Sequence, residues 1–302
     1  MNLNVGIFHD SELGKELGKS GTVSDIRMFN RKSGEDVFTF LAPRDDKPAI
    51  KSQIMSQIDA AIISFAEVTP EVGETIVMLD ALSVKEGIAI IPPETVLNDI
   101  TSLTKGTSLE SYHVRDRQPL EMLSVLEKFS PQRKDGPAEV IVDHSFSVKG
   151  VGEVILGFVK RGTVHKHDKL QLMPSGKELT VRSIQMQDKD FTEAGPGSRV
   201  GLCIKGATVD EMKRGCVLCS DGAVAADRKI TLDFEPNRYY KPGLREGNFH
   251  VTVGMQTVPV KVSGNVTIEA EKPIAYAKDD TFLLLDINAE KMHLIGTGRV
   301  RQ

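Results

Sequence analysis

The first 130 residues alternate between short apolar runs and stretches with helical periodicity. In the periodic stretches, apolar residues recur every three or four positions, as at Val72, Ile76 and Leu79. Four apolar runs have the length of strands: 3–8, 37–43, 58–68 and 87–93. Because buried strands that alternate with amphipathic helices are typical of βαβ units, we predict an α/β domain with a mainly parallel sheet.

The pattern changes beyond residue 137. A helix is predicted over 119–129, followed by a polar linker with proline and glycine at 130–137. Short strand-like runs then continue to the end of the chain, separated by Gly, Pro, Asp and Lys and without helical stretches between them. This spacing predicts two antiparallel β-barrels. We therefore predict three domains: an α/β domain at 1–134, a first barrel at 135–223 and a second barrel at 224–302.

Composition restricts the class of protein. The 302 residues are 40% hydrophobic and 26% charged, enough for a core in each of two or three domains. No run is long enough to cross a bilayer, and the first ten residues have neither the basic nor the apolar region of a signal peptide. Three cysteines are too few for a disulfide framework. We expect a cytoplasmic protein that does not contact a membrane.

Charge is spread unevenly along the chain. Residues 1–130 hold 13 Lys and Arg against 20 Asp and Glu, whereas the remainder holds 25 against 22. An acidic first part and a mildly basic later part fit a protein whose later domains meet a polyanion such as RNA. Ordinary variation of surface charge explains the same numbers, so composition alone leaves both explanations open.

Four motifs stand out between Val142 and Leu218. They are F-x-V-x-G-x-G-x-V-x-x-G at 146–157, V-R-S-I-Q at 181–185, A-G-x-G-x-R-V-G-L at 194–202 and R-G-x-V-L at 214–218. This set resembles the second domain of translational GTPases. Residues 244–264 are similar to the third domain of elongation factor Tu and SelB, and the first domain corresponds by position. The resemblance implies the same order of domains: a P-loop-GTPase-like α/β domain and two antiparallel barrels.

The phosphate-binding motif of these GTPases is altered. In the family, the first strand runs into G-x-x-x-x-G-K-[ST], whose amides and lysine hold the phosphates. If Gly6 is the first glycine, the last three positions hold Ser11, Glu12 and Leu13. A glutamate in place of the lysine turns an attraction of about 4 kcal/mol, at about 4 Å and an effective dielectric near 20, into a repulsion. Neither GTP nor Mg²⁺ is therefore expected as a cofactor.

Two further GTPase motifs are also lost. The D-x-P-G-H motif, which faces the γ-phosphate in the family, corresponds to residues 41–45, where only Pro43 is retained. The N-K-x-D motif that reads guanine is replaced by Pro-Pro-Glu-Thr at 92–95. This pattern resembles the archaeal SelB-like proteins, a branch of the SelB and elongation factor Tu group with an eroded GTPase signature.

The resemblance also implies a place for the aminoacylated 3′ end of a tRNA on the first barrel. There, acidic, basic and amide groups would bind the terminal adenosine and its amino acid. Asp188 is acidic where the family is often basic. The alternative is a solvated barrel rim with Phe146 in the core. The corresponding positions are Asp143, His144, Ser145, Phe146, Gln185, Gln187, Asp188 and Arg199.

No metal site is predicted from the sequence. Cys216 and Cys219 are spaced like zinc ligands, but three positions apart in a strand they face opposite sides, and zinc needs four ligands.

Three functions remain open at this point. The first is a non-catalytic elongation-factor-like protein that binds tRNA or the ribosome. The second is a protein–protein adaptor that uses the remodelled first domain, and the third is a divergent GTPase. The altered motifs favour a protein without enzymatic activity.

Overall fold

A computed structural model describes residues 1–92 and 97–301, apart from the side chains of Val23 and residues 97–99. Among these residues, no helix is long and apolar enough to span a membrane. The predicted domain boundaries 1–134, 135–223 and 224–302 stay a prediction. By compactness the chain divides into two units: residues 1–132, 236–243 and 285–296 form the first, and residues 133–235, 244–284 and 297–302 the second.

The first unit contains a seven-stranded sheet in the order β2-β3-β4-β1-β5-β6-β7. The central strand β1 is parallel to β4 and β5, and β5, β6 and β7 continue in parallel. The predicted α/β domain with a mainly parallel sheet is confirmed. The strands are β1 Asn2–Phe8, β2 Lys19–Val23, β3 Ile26–Ser33, β4 Asp36–Pro43, β5 Ala60–Ser64, β6 Glu86–Ile90 and β7 His113–Arg115.

Helices cover the sheet of the first unit. Proline stands in the first turn of α2, α3 and α5, where its fixed φ suits a helix start. Leu13, Phe38, Ile62 and Met122 are among the buried residues of the shared core. The helices are α1 Leu13–Leu17, α2 Pro48–Met55, α3 Pro70–Ala81, α4 Leu97–Thr104 and α5 Pro119–Leu126, with a 3₁₀ helix at Ser108–Ser111.

The second unit contains a six-stranded antiparallel barrel in the order β11-β16-β8-β9-β15-β12, closed by pairing of β11 with β12. Alternate residues such as Val140, Val142 and Ile155 point into its core. The strands are β8 Glu139–Val148, β9 Gly152–Arg161, β10 Val164–His165, β11 Lys169–Met173, β12 Lys177–Met186, β13 Lys189–Phe191, β14 Glu193–Ala194, β15 Arg199–Lys205 and β16 Val217–Cys219.

The last six strands close into a second antiparallel barrel in the order β17-β20-β19-β18-β21-β22. The two barrels predicted from strand spacing are thereby confirmed. The strands are β17 Ala225–Pro236, β18 Gly247–Val253, β19 Gln256–Ser263, β20 Thr267–Tyr276, β21 Phe282–Leu285 and β22 Leu294–Val300.

Candidate functional site

The loop between β1 and α1, where the family holds phosphate, consists of only four residues, 9–12. Gly6 lies inside β1 and not in this loop, and a Cβ added there would lie 2.6 Å from the ring of Phe8. Ser11 and Glu12 are exposed, and Leu13 is buried as the first residue of α1. Glu12 lies 2.5 Å from Lys15, whose hydrogen bond lowers the pKa of Glu12, so the carboxylate stays charged.

A carboxylate of the chain itself occupies the start of α1. Asp10 Oδ1 accepts a hydrogen bond of 3.1 Å from the backbone N–H of Leu13. Arg117 Nε donates to the other Asp10 oxygen at 2.5 Å, and Arg117 Nη2 donates to Glu16 at 2.8 Å. Because the nearby cations Lys15 and Arg117 are each bound to carboxylates, the loop offers no uncompensated positive charge among these groups.

Of the other two altered motifs, the one at 41–45 lies at the carboxyl edge of the same sheet, and the one at 92–95 lies mostly outside the described residues. Leu41 and Ala42 are buried at the end of β4, and the exposed residues Arg44 and Asp45 follow in the loop before α2. At the motif of residues 92–95, the structure describes Pro92 but not residues 93–95.

On the first barrel, a bulge in β8 turns Asp143 out of the regular register between Val142 and His144. Asp143 is buried, and Arg199 Nη2 donates a hydrogen bond of 2.6 Å to its Oδ2. His144 Nδ1 lies 3.0 Å from the same oxygen, without the alignment of a hydrogen bond. Arg214 Nε lies 3.5 Å from Oδ1 and donates to the Asp143 carbonyl oxygen at 3.3 Å.

The electrostatics of this cluster keep Asp143 ionised. Burial by itself raises the pKa of Asp143, but the adjacent side chains of His144, Arg199 and Arg214 together lower that pKa below its usual range. The guanidinium of Arg199 also lies over the ring of Phe158, 4.7 Å from its centroid. Within residues 1–92 and 97–301, three buried atoms of the cluster have no hydrogen-bond partner: Asp143 Oδ1, His144 Nδ1 and Arg199 Nη1.

His144 belongs to an outward row that crosses four strands. The register aligns His144 with Leu156, Leu156 with Gly201, and Gly201 with Gln185. Directly opposed residues of antiparallel strands share a face, so these residues lie on the outer surface of the barrel. Gly201 has no side chain, and a Cβ there would have only ordinary contacts, the nearest 3.5 Å from Leu156. The row therefore lacks a side chain at its centre, and this gap at Gly201 is called the depression of the row.

Phe146 lies two residues beyond His144 on β8 and is 40% exposed. The alternative that Phe146 belongs to the barrel core is therefore wrong. Ser145 points elsewhere and donates to the carbonyl oxygen of Val209 at 3.2 Å.

The remaining predicted residues lie at the β12–β13 turn. Gln187 and Asp188 form this turn with φ of 49° and 60°. In the part of the chain that the structure describes, no hydrogen bond or ion pair joins either residue to Asp143 or Arg199. Gln185 donates to Asp190 at 2.8 Å. The structure thus brings Asp143, His144 and Arg199 together and leaves the turn separate.

Sequence reasoning missed Arg214, Leu156 and Gly201 at the barrel and Asp10 and Arg117 at the loop. Arg214 opens the R-G-x-V-L block, which was a signal for it, whereas only the three-dimensional pairing of strands could find Leu156. Among the described residues, no three or more His, Cys, Asp or Glu side chains are grouped to hold a metal ion.

The order of an α/β domain and two antiparallel barrels defines an elongation-factor-like protein. A family model described as elongation factor Tu domain 2 matches residues 152–219. An uncharacterized protein of Methanocaldococcus jannaschii is 34% identical over 99% of this chain and 99% of its own length. A selenocysteine-specific elongation factor of the same organism is 32% identical over 40% of this chain and 26% of its own length.

A solved structure has the same fold. The translation elongation factor SelB from Methanococcus maripaludis, in complex with the GTP analogue GppNHp, has a TM-score of 0.85 at 22% identity. That similarity covers 100% of this chain and 79% of the SelB chain. The chain belongs to the SelB and elongation factor Tu family.

Proposed function

We propose that this protein binds the aminoacylated 3′ end of a tRNA on its first barrel and does so without a nucleotide switch. The observation that carries the proposal is the cluster around Asp143, in which three buried polar atoms have no hydrogen-bond partner. Buried polar groups are nearly always satisfied by protein, ordered water or a ligand, so an unsatisfied set near the gap at Gly201 supports a ligand site there.

The chemistry of the outward row fits the end of an RNA strand. The exposed ring of Phe146 offers a surface on which a terminal base would stack, a contact worth about 1–3 kcal/mol. His144 and Gln185 offer polar groups at the two ends of the row, with the depression at Gly201 between them. The esterified amino acid would lie in this depression.

The arginine side chains of the cluster would suit an anionic amino-acid side chain. Arg199 and Arg214 both lie beside the carboxylate of Asp143. Two relatives are named selenocysteine-specific elongation factor. The selenol of selenocysteine ionises more readily than a thiol. We therefore propose selenocysteine as the favoured amino acid, and the cytoplasm as the place of action, in keeping with three free cysteines.

Binding of short RNA hairpins tests this function. Fluorescence anisotropy at low salt would compare acceptor hairpins that end in free CCA with hairpins esterified with selenocysteine, cysteine or serine. We expect the esterified hairpins to bind more tightly, and His144→Ala to weaken their binding about tenfold, or about 1.4 kcal/mol. His165→Ala, at a histidine 53% exposed on the same barrel, is the matched control. Absence of RNA binding, or equal affinity of free and esterified hairpins, would refute the proposal.

The proposed loss of nucleotide binding is supported by the first unit. Asp10 already accepts the hydrogen bond at the start of α1, and Arg117 is bound to Asp10 and Glu16. A polyphosphate would have to displace a carboxylate and face the charged Glu12. Calorimetric titration of GTP and GDP with Mg²⁺ is expected to show no saturable heat. A saturable isotherm would restore the divergent GTPase as the better function.

A further inference from the structure

A lysine of α2 is completely buried in the first unit. Lys51 has no exposed surface, and its Nζ lies 3.3 Å from a carboxylate oxygen of Asp46 and 3.4 Å from Glu74 Oε2. The hydroxyl of Thr75 lies 3.5 Å from the same Nζ. Glu74 is also buried, on α3. Sequence patterning gives no hint of this pair, because Lys51 reads as an ordinary polar position of an amphipathic helix.

The other Glu74 oxygen joins the pair to a distant part of the chain. Glu74 Oε1 accepts a hydrogen bond of 2.6 Å from the backbone N–H of His293 and lies 2.9 Å from its Nδ1. His293 belongs to the same compact unit as α2 and α3. The buried charges are therefore satisfied from two helices and from the segment 285–296.

The loop after β1 completes the network. Thr75 Oγ1 donates to the carbonyl oxygen of Glu71 at 2.9 Å, so it accepts the hydrogen bond of 2.8 Å from His9 Nε2. His9 has a left-handed backbone with φ of 62°. It stands in the four-residue loop where the family would hold phosphate.

The position of α2 explains why this network matters. The helix begins at Pro48, three positions after the end of residues 41–45, where the altered D-x-P-G-H motif removes the groups that face a γ-phosphate in the family. Buried ion pairs contribute little net stability but can select one packing arrangement, because a lone buried charge is strongly unfavourable.

We propose that the Lys51–Glu74 pair holds α2 against α3 in a single arrangement that requires no ligand. The pair, and not a bound nucleotide, then sets the position of this helix in this chain. The inference rests on the nucleotide independence proposed above, but it concerns the cause of the fixed helix and not RNA binding at the barrel.

Hydrogen exchange of the full chain, followed by mass spectrometry, tests the inference. The double variant Lys51→Met, Glu74→Gln removes both charges, and the glutamine keeps an acceptor for the His293 N–H. We expect amides of α2 to exchange at least tenfold faster in this variant, while amides of β8 keep the wild-type rate. Lys47→Met is the matched control, because Lys47 precedes the same helix and is 71% exposed, and its α2 exchange should stay within twofold of wild type.

Unchanged α2 exchange in the double variant, or equal acceleration throughout the chain, would overturn the inference. A second measurement needs no variant: GTP or GDP with Mg²⁺ should leave α2 exchange of the wild-type protein unchanged, and nucleotide-dependent protection of α2 would also overturn it. The calorimetric titration separates the two proposals. Saturable nucleotide binding refutes the proposed function. Unchanged α2 exchange in the double variant refutes only the role of the Lys51–Glu74 pair in fixing α2.

Discussion

Gly201 controls the space at the centre of the outward row on the first barrel. Its backbone is ordinary strand, and the nearest atom to an added Cβ would be Leu156 Cδ2 at 3.5 Å, an ordinary contact. An added Cβ would thus be tolerated by the fold, and a larger side chain is expected to fill the gap between His144 and Gln185. Position 201 therefore separates effects on binding from effects on folding.

The variant Gly201→Val is expected to fold normally and to lose binding of esterified acceptor hairpins at least tenfold, about 1.4 kcal/mol. Valine suits a strand, so the melting temperature should stay within a few degrees of wild type. Gly201→Ala, which adds only the Cβ, should have a smaller effect on binding. Wild-type affinity in Gly201→Val would show that the ligand, if bound, does not enter the depression.

At the scale of elements, the loop between β1 and α1 depends on His9 remaining uncharged. Burial is the largest influence on His9 and lowers its pKa below the usual 6.5. The folded protein therefore binds a proton at His9 less readily than the unfolded chain does. The stability that neutral His9 provides is complete above about pH 6.5 and decreases as the pH falls below that value.

The variant His9→Asn tests this pH dependence, because asparagine tolerates a left-handed backbone. Between pH 7 and pH 5.5, the melting temperature of the wild-type protein should fall more steeply than that of His9→Asn. His167→Asn is the matched control, since His167 is exposed and also left-handed, with φ of 76°. Parallel slopes for wild type and His9→Asn would contradict the assigned role.

Element type was predictable where the apolar pattern was regular. The runs at 3–8 and 37–43 became β1 and β4, and the helix predicted at 119–129 became α5, shortened to Pro119–Leu126. After β1 only Leu13–Leu17 forms a helix, because Lys19–Val23 pairs with β3 as a strand. Pairing with a neighbouring strand decided the structure of this segment.

The candidate site was predictable only in part, for a physical reason. Motif positions identified Asp143, His144 and Arg199, which the structure brings into contact. Arg199 was expected to face a ligand, yet its guanidinium is bound to Asp143 and stacked on Phe158. A sequence shows which residue types are present, but the pairing of charges depends on strand register and on the bulge at Asp143.

At the scale of the whole molecule, ion pairs between the two barrels consolidate the second unit. Lys160 on β9 bonds to Glu139 at 3.0 Å and to Asp280, which follows β20. Asp279 accepts hydrogen bonds from Lys134 at 2.5 Å and from Arg161 at 2.6 Å. The contacts are networked, and such groups contribute more than isolated surface pairs.

Asp279 makes the cohesion of this unit sensitive to acid. Partial burial favours the protonated form, but the hydrogen bonds from Lys134 and Arg161 outweigh it and lower the pKa of Asp279 well below its usual range. The stability from this carboxylate is therefore present above about pH 4, the usual range of an unfolded aspartate, and is lost as the pH falls towards the lower folded pKa.

Asp279→Asn should melt at a lower temperature than wild type at pH 7, and the difference should shrink below pH 4. The exposed acid Asp210, changed to asparagine, should show no such convergence. If the melting temperatures of wild type and Asp279→Asn differ by the same amount from pH 7 to pH 3, the charge of Asp279 does not hold the barrels together.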